Sequence, residues 1–242
     1  MTIENGSFQT GVYPIGIDPT PFRPKSNESD DTKTRRSARR RPQEQQVLAV
    51  DRLDYTKGIP ERLRAFRRLL ERSRSLRGKL SLVQISTPSR TRMPEYIREK
   101  EEVDRLVGQI NGAFSEAGWL PIRYLYRSYQ LEELTEFYRQ ADIYLVTPLR
   151  DGMNLVAKEF IAAQDDDPSV LVLSRFCGAA KSMTDAPVVN PYDVDGTAST
   201  INRALHMPRR ERAQRWEALM EVVKRDTAES WSTSFLSELA AA

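Results

Sequence analysis

One cysteine and one histidine occur in 242 residues, and both scarcities exclude whole classes of chemistry. A lone Cys177 rules out a disulfide framework within the chain and suits a reducing compartment. His206 falls near the end of an expected helix, before Met207-Pro208, where a C-terminal cap or surface role is favoured over acid–base or metal duty. No group of His, Cys or carboxylates stands at ligand spacing, so no protein-bound metal is expected. Apolar runs are short as well, and none approaches the roughly 20 residues that span a bilayer. The opening MTIENGSFQTGVY lacks the basic and apolar regions of a signal peptide. A cytoplasmic protein without membrane contact is the expectation. Also lacking are GxxxxGK[ST], GxGxxG and GxSxG, so no P-loop, dinucleotide fingerprint or nucleophile elbow is present.

What is there reads as a globular chain, with 39% hydrophobic and 29% charged residues. The net charge of +3 is small but unevenly placed. Lys33, Arg35, Arg36, Arg39, Arg40 and Arg41 crowd into 33–41 with Ala38 as the sole apolar residue. Without interleaved aromatics for base stacking this run reads as a solvated loop, and no nucleic-acid partner is expected.

From residue 47 short apolar runs alternate with helical patterns. Strands are expected at 47–52, 79–87, 122–127, 142–148, 169–174 and 186–191. Helices are expected at 57–73, 94–114, 131–141, from Asn154, and at about 194–206 and 208–228. Continuous apolar strands alternating with helices predict an α/β fold, a Rossmann-like parallel sheet covered on both faces. In GVYPIGIDPTPF (11–22) one strand and a turn are expected. The predicted organisation is a stump of another unit at 1–22, a polar basic linker at 23–46, the α/β domain at 47–230 and an amphipathic tail at 231–242. Trp231 and Phe235 in that tail fit packing on a neighbour as well as on their own domain.

Ligands of such sheets bind beyond the carboxyl ends of the strands. That rim collects Arg52, Asp54, Lys57, Arg90 and Asp151. In VDRLDYTKGIPERL, Arg52 and Lys57 beside a helix N-terminus make a seat for a diphosphate. A capping turn with ion pairs to Asp51, Asp54 and Glu61 fits the spacing equally well. In LVTPLRDGMNLVAKEFIAAQ, Asp151-Gly152 predicts a turn with Gly152 at positive φ and Asn154 as a helix N-cap. Amides of the first helical turn then face the crevice, and Leu155, Val156, Phe160 and Ala163 anchor the helix. Glu159, one turn below Leu155, and Asp151 are placed to accept hydrogen bonds from sugar hydroxyls. The set as a whole fits a polyhydroxylated, phosphorylated ligand. A surface Lys158–Glu159 face with plain helix capping fits any one of these residues but not all.

Five stretches, VDRLDYTKGIPERL, STPSR, VGQINGAFSEAGWLPIRYLYRSY, ADIYLVTPLRDGMNLVAKEF and SVLVLSRFCGAA with VNPYD, closely resemble the C-terminal half of the trehalose-6-phosphate synthase family. The likeness runs from about Val47 to Leu239, and GVYPIGIDPTPF resembles the segment closing that family's N-terminal domain. The resemblance implies the nucleotide-sugar domain of a GT-B glycosyltransferase, transferring glucose from UDP-glucose to glucose 6-phosphate with retention, without metal or other cofactor. It implies that Arg52 and Lys57 hold the donor diphosphate and stabilise the leaving UDP, that Tyr129 meets uracil through its backbone, and that Glu159 bonds the ribose. The run Asp151, Gly152, Met153, Asn154, Leu155, Val156, Ala157 and Lys158 resembles the loop and helix start around the donor glucose. Arg90 is the residue of this half expected at the acceptor phosphate.

The family's acceptor domain has no counterpart here beyond 1–22. The chain is therefore expected to be a truncated or split synthase, weakly active or inactive alone, with a homo-oligomer or a second chain supplying the acceptor side. Glucosylglycerol-phosphate synthesis or a related sugar-phosphate transfer, a noncatalytic nucleotide-sugar-binding module, and a nucleic-acid binder built on the basic run 33–41 are the alternatives.

Overall fold

A computed structural model describes residues 2–3, 6–7, 10–23, 44–165 and 168–241. The basic run at 33–41 lies outside the described residues. Six strands form one sheet: β1 (Gln45–Arg52), β2 (Leu80–Thr87), β3 (Ile122–Leu125), β4 (Ile143–Val146), β5 (Val170–Ser174) and β6 (Val188–Val189). Their spatial order is β3-β2-β1-β4-β5-β6, and each adjacent pair is parallel. The helices between and after them are α1 (Ile59–Arg72), α2 (Pro94–Phe114), α3 (Leu131–Gln140), α4 (Leu155–Ala163), α5 (Val194–Leu205), α6 (Arg209–Arg225) and α7 (Ala228–Ala241).

Strand side chains alternate between two apolar layers, as the two-residue period of an extended chain requires. Leu48, Val50, Tyr144, Val146, Leu171 and Leu173 pack with Tyr138 of α3, Phe160 of α4 and Leu219 of α6. Val47, Ala49, Ile143, Leu145, Val170 and Val172 pack with Phe66 of α1, Val103 of α2 and Ile201 of α5. Burial on both faces explains why the central strands read as unbroken apolar runs.

Differences from the expected elements have local causes. Gly58 takes φ +64, so α1 begins at Ile59 and Lys57 sits in a short 3-10 turn, Tyr55–Lys57. A Cβ at Gly58 would also lie 2.6 Å from the Thr147 carbonyl oxygen, so only glycine fits there. β6 shrinks to two residues because Pro187 and Pro191 flank it and supply no ladder donor. The helix expected to 228 breaks after Arg225, and α7 starts anew at Ala228.

The strand expected within 11–22 does not form. Pro14, Pro19 and Pro21 interrupt its donors, and residues 10–19 run without regular structure into a 3-10 turn at Thr20–Phe22. Side chains of the domain satisfy its carbonyls instead. The Lys158 ammonium donates to Ile15 O (3.2 Å), Trp231 Nε1 to Tyr13 O (2.9 Å) and Arg139 to Phe22 O (3.2 Å). Trp231 stacks on Phe235, which meets the Tyr13 ring edge-on at 5.2 Å. The amphipathic C-terminal helix thus packs on its own chain.

Candidate functional site

The chain leaves β1 for β2 and β3 on one side, then returns to β4 on the other. In open parallel sheets the ligand crevice is expected where that order reverses, here beyond the carboxyl ends of β1 and β4. Two loops meet there. After β1, Asp54 caps the 3-10 turn by accepting from Thr56 N (2.9 Å) and Thr56 Oγ1 (2.7 Å). Burial opposes that carboxylate. Hydrogen bonds from Thr56 and Tyr96, with the charge of Arg52, outweigh burial and hold its pKa below the ordinary value. After β4, Leu149 N and Arg150 N donate to Thr56 O at 2.8 and 3.3 Å, which ties the second loop to the first.

The Lys57 ammonium and the Asp151 carboxylate meet at 2.6 Å across this junction, both largely buried. Asp51 is bound instead by Arg62 at 2.7 Å and Asp54 by Thr56 and Tyr96, so neither is the counter-ion of Lys57. Asp151 Oδ2 also accepts from Asn154 Nδ2 at 3.0 Å, so this carboxylate is engaged by two neighbours, Lys57 and Asn154.

Backbone strain falls on Asn154 rather than on Gly152. Asn154 has φ +73 and no side-chain hydrogen bond to the first turn of α4, so it is not the expected side-chain cap. Its side chain turns back to Asp151, leaving Oδ1 buried and unpartnered among the described residues. The first-turn amides of α4 therefore receive no side-chain cap from Asn154. Gly178 holds this loop from behind. Its N donates to Asp151 O (3.0 Å), and a Cβ there would stand 1.8 Å from Gly152 O. Leu155 and Val156 are half-buried against the core, as is Met153.

Arg52 is exposed at the end of β1. Arg90, beyond β2, is a second non-glycine at positive φ, +44. Its guanidinium donates to Tyr96 Oη (3.2 Å), and that hydroxyl donates to Asp54 Oδ2 (3.1 Å). Arg90 is therefore coupled through Tyr96 to the turn that carries Lys57. Glu159, half-buried on α4, accepts from Tyr138 Oη at 3.0 Å. Burial raises its pKa, partly offset by that hydrogen bond. Tyr129, past β3, meets Phe137 edge-on at 5.1 Å with the Arg127 guanidinium 4.4 Å from its ring.

Two expected members point elsewhere. The Lys158 side chain is fully buried against the N-terminal segment and its ammonium does not face the rim, and Ala157 is buried in the core. The surface Lys158–Glu159 face is therefore absent. His206 caps α5, its Nδ1 2.8 Å from Asn202 O, away from the crevice.

Beneath the rim lies a group that residue spacing alone left unnoticed. Arg62, 1% exposed, donates to Asp51 Oδ2 (2.7 Å), Gln84 Oε1 (2.8 Å), Thr147 Oγ1 (2.9 Å) and Lys57 O (3.3 Å). One guanidinium thereby joins β1, β2, the end of β4 and the turn at Lys57. Its signal was the helical phase: position 62 falls on the same stripe as Ile59, Leu63 and Phe66. Among the described residues no cluster of three or more His, Cys, Asp or Glu could hold a metal ion, and no helix is long and apolar enough to cross a membrane.

Comparison with known proteins gives concordant matches. The family described as glycosyltransferase family 20 matches residues 1–241. The trehalose-6-phosphate synthase of Sinorhizobium fredii is 44% identical over 239 residues, covering 97% of this chain and 51% of the relative. A solved E. coli structure, described as trehalose-6-phosphate bound with UDP-2-fluoro glucose, superposes with TM-score 0.90 at 38% identity, covering 98% of this chain and 53% of that one. The Burkholderia xenovorans UDP-forming α,α-trehalose-phosphate synthase in complex with glucose-6-phosphate gives 0.85 at 40% identity, covering 94% and 51%. The chain spans about half the length of these relatives.

Proposed function

The chain belongs to glycosyltransferase family 20, and from that premise we propose that it is the donor-binding half of a UDP-forming trehalose-phosphate synthase. The reaction is transfer of glucose from UDP-glucose to glucose 6-phosphate with retention. The observation that carries this reading is the meeting of Lys57 with the Asp151–Asn154 loop at the reversal of strand order, beside exposed Arg52. A permanent cation, an ammonium held by a replaceable carboxylate, and helix amides converge where a diphosphate fits.

In this reading Lys57 exchanges Asp151 for a phosphate oxygen as the donor enters, and Arg52 closes on the other phosphate. Negative charge grows on the leaving UDP as the glycosidic bond lengthens. Fixed donors aimed at that charge stabilise the oxocarbenium-like state more than the ground state. The released Asp151 carboxylate and the 151–156 backbone face the glucose, Glu159 takes the ribose hydroxyls, and the Tyr129 backbone meets uracil. Ala157 contributes its amide, and Lys158 braces α4 from below. Arg90, steered by Tyr96, addresses the acceptor phosphate. Acceptor recognition beyond Arg90 belongs to the rest of such an enzyme, supplied by the same protein, a second chain or an oligomer.

Calorimetric titration of the 242-residue chain with UDP and UDP-glucose tests this. Two charge-assisted hydrogen bonds are worth about 1.5–3 kcal/mol each. The Arg52→Ala, Lys57→Ala double variant should therefore bind about 10²- to 10⁴-fold more weakly. Equal affinity of the variant and the native chain would refute the reading.

A further inference from the structure

Tyr138 is among the largest fully buried side chains, and its hydroxyl interacts with Glu159 and with the neighbouring Tyr144 hydroxyl. Its ring is locked edge-on against Tyr144 (5.5 Å) and Phe160 (6.1 Å), while its hydroxyl reaches Glu159 Oε2 at 3.0 Å. We propose that Tyr138 is the positioning residue of the carboxylate that holds the donor's ribose, fixing one oxygen of Glu159 so that the rest of the carboxylate is presented to a vicinal diol. This deepens the reading of Glu159 as the ribose ligand and rests on it.

The chemistry favours a phenol in this place. A glutamate side chain has several rotamers, and a diol needs both of its hydroxyls to find acceptors in one geometry. A donor on Oε2 selects the rotamer yet leaves lone pairs on both oxygens for the ligand. Burial drives the Tyr138 phenol far above its ordinary range, so it remains a donor at every working pH. Two phenols face Glu159 from the packed elements, Tyr138 of α3 and Tyr144 of β4, and only Tyr138 reaches it with a hydrogen bond. The bond also favours the charged carboxylate against the burial that opposes it.

The test compares UDP with 2′,3′-dideoxy-UDP on the native chain, Tyr138→Phe and Glu159→Ala, by calorimetry from pH 5 to 8. Tyr138→Phe keeps the ring and its packing. The native chain should prefer UDP, and Glu159→Ala should abolish that preference. Tyr138→Phe should shrink it roughly 2- to 10-fold, the worth of one hydrogen bond. It should also move the pH below which the preference disappears upward, since Glu159 then binds its proton more readily. A purely structural role would weaken both nucleotides equally and leave the pH midpoint in place. A preference lost in Glu159→Ala but unchanged in Tyr138→Phe overturns the positioning role alone. A preference unchanged in both variants overturns the reading of Glu159, and the positioning role with it.

Discussion

Glu99 shows how much of this crevice's behaviour turns on single side chains. It lies on α2, one turn beyond Tyr96, and its Oε1 is buried without a hydrogen-bond partner among the described residues. Burial, then the charges of Glu61, Asp54 and Glu102, push its carboxyl up to about 7, with Arg64 opposing. The folded state thus holds the proton more tightly than the unfolded chain, whose value is near the ordinary 4.5. Native stability should fall as pH rises from about 4.5 through 7, because ionising Glu99 costs more in the fold than in water. Glu99→Gln removes that loss. Thermal melting should show the variant above the native chain at pH 8, with the gap closing at pH 5; a gap of the same size at both pH values would contradict the assignment. At this scale the sequence was partly legible. Charge at strand ends marked Arg52, Lys57 and Asp151 as candidates and a helical position one turn below Leu155 marked Glu159, whereas the contacts Lys57–Asp151 and Tyr138–Glu159 join residues distant in sequence and have no local signature.

Among the elements, α1 carries the most consequential departure from a simple apolar stripe. Its buried face holds Ile59, Leu63, Phe66, Leu69 and Leu70, with Arg62 among them. A guanidinium so placed stabilises only while every hydrogen bond is made, since removing one partner strands a buried charge. Arg62→Met should cost about 3–5 kcal/mol in urea unfolding, because Asp51 loses its counter-ion. Adding Asp51→Asn should recover part of that cost, and strictly additive effects of the two substitutions would contradict the coupling. The helical period at 57–73 was readable, and α2 spans the expected 94–114, because heptad-like spacing is local. The 11–22 segment misled because apolar residues beside prolines resemble an edge strand, and its true partners, Lys158, Arg139 and Trp231, lie more than a hundred residues away.

For the whole molecule the decisive fact is the order β3-β2-β1-β4-β5-β6, which puts the reversal between β1 and β4. Alternation of strands and helices predicted a parallel sheet, but not the order, which depends on contacts between elements far apart in the chain. That order makes the loops after β1 and β4 neighbours and so brings Lys57 and Asp151 together. The N-terminal segment clips across α4 and α7 through Ile15 and Tyr13, so Lys158, one residue beyond Ala157 on α4, serves the packing of that segment.

Amide chemical-shift mapping during a UDP-glucose titration shows whether a nucleoside diphosphate sugar binds between the loops after β1 and β4. The largest shifts should fall on Arg52–Gly58 and on Leu149–Ala157, with little change around His206 and the β6 edge. Shifts concentrated at that far edge, with residues 52–58 and 149–157 unmoved, would contradict it.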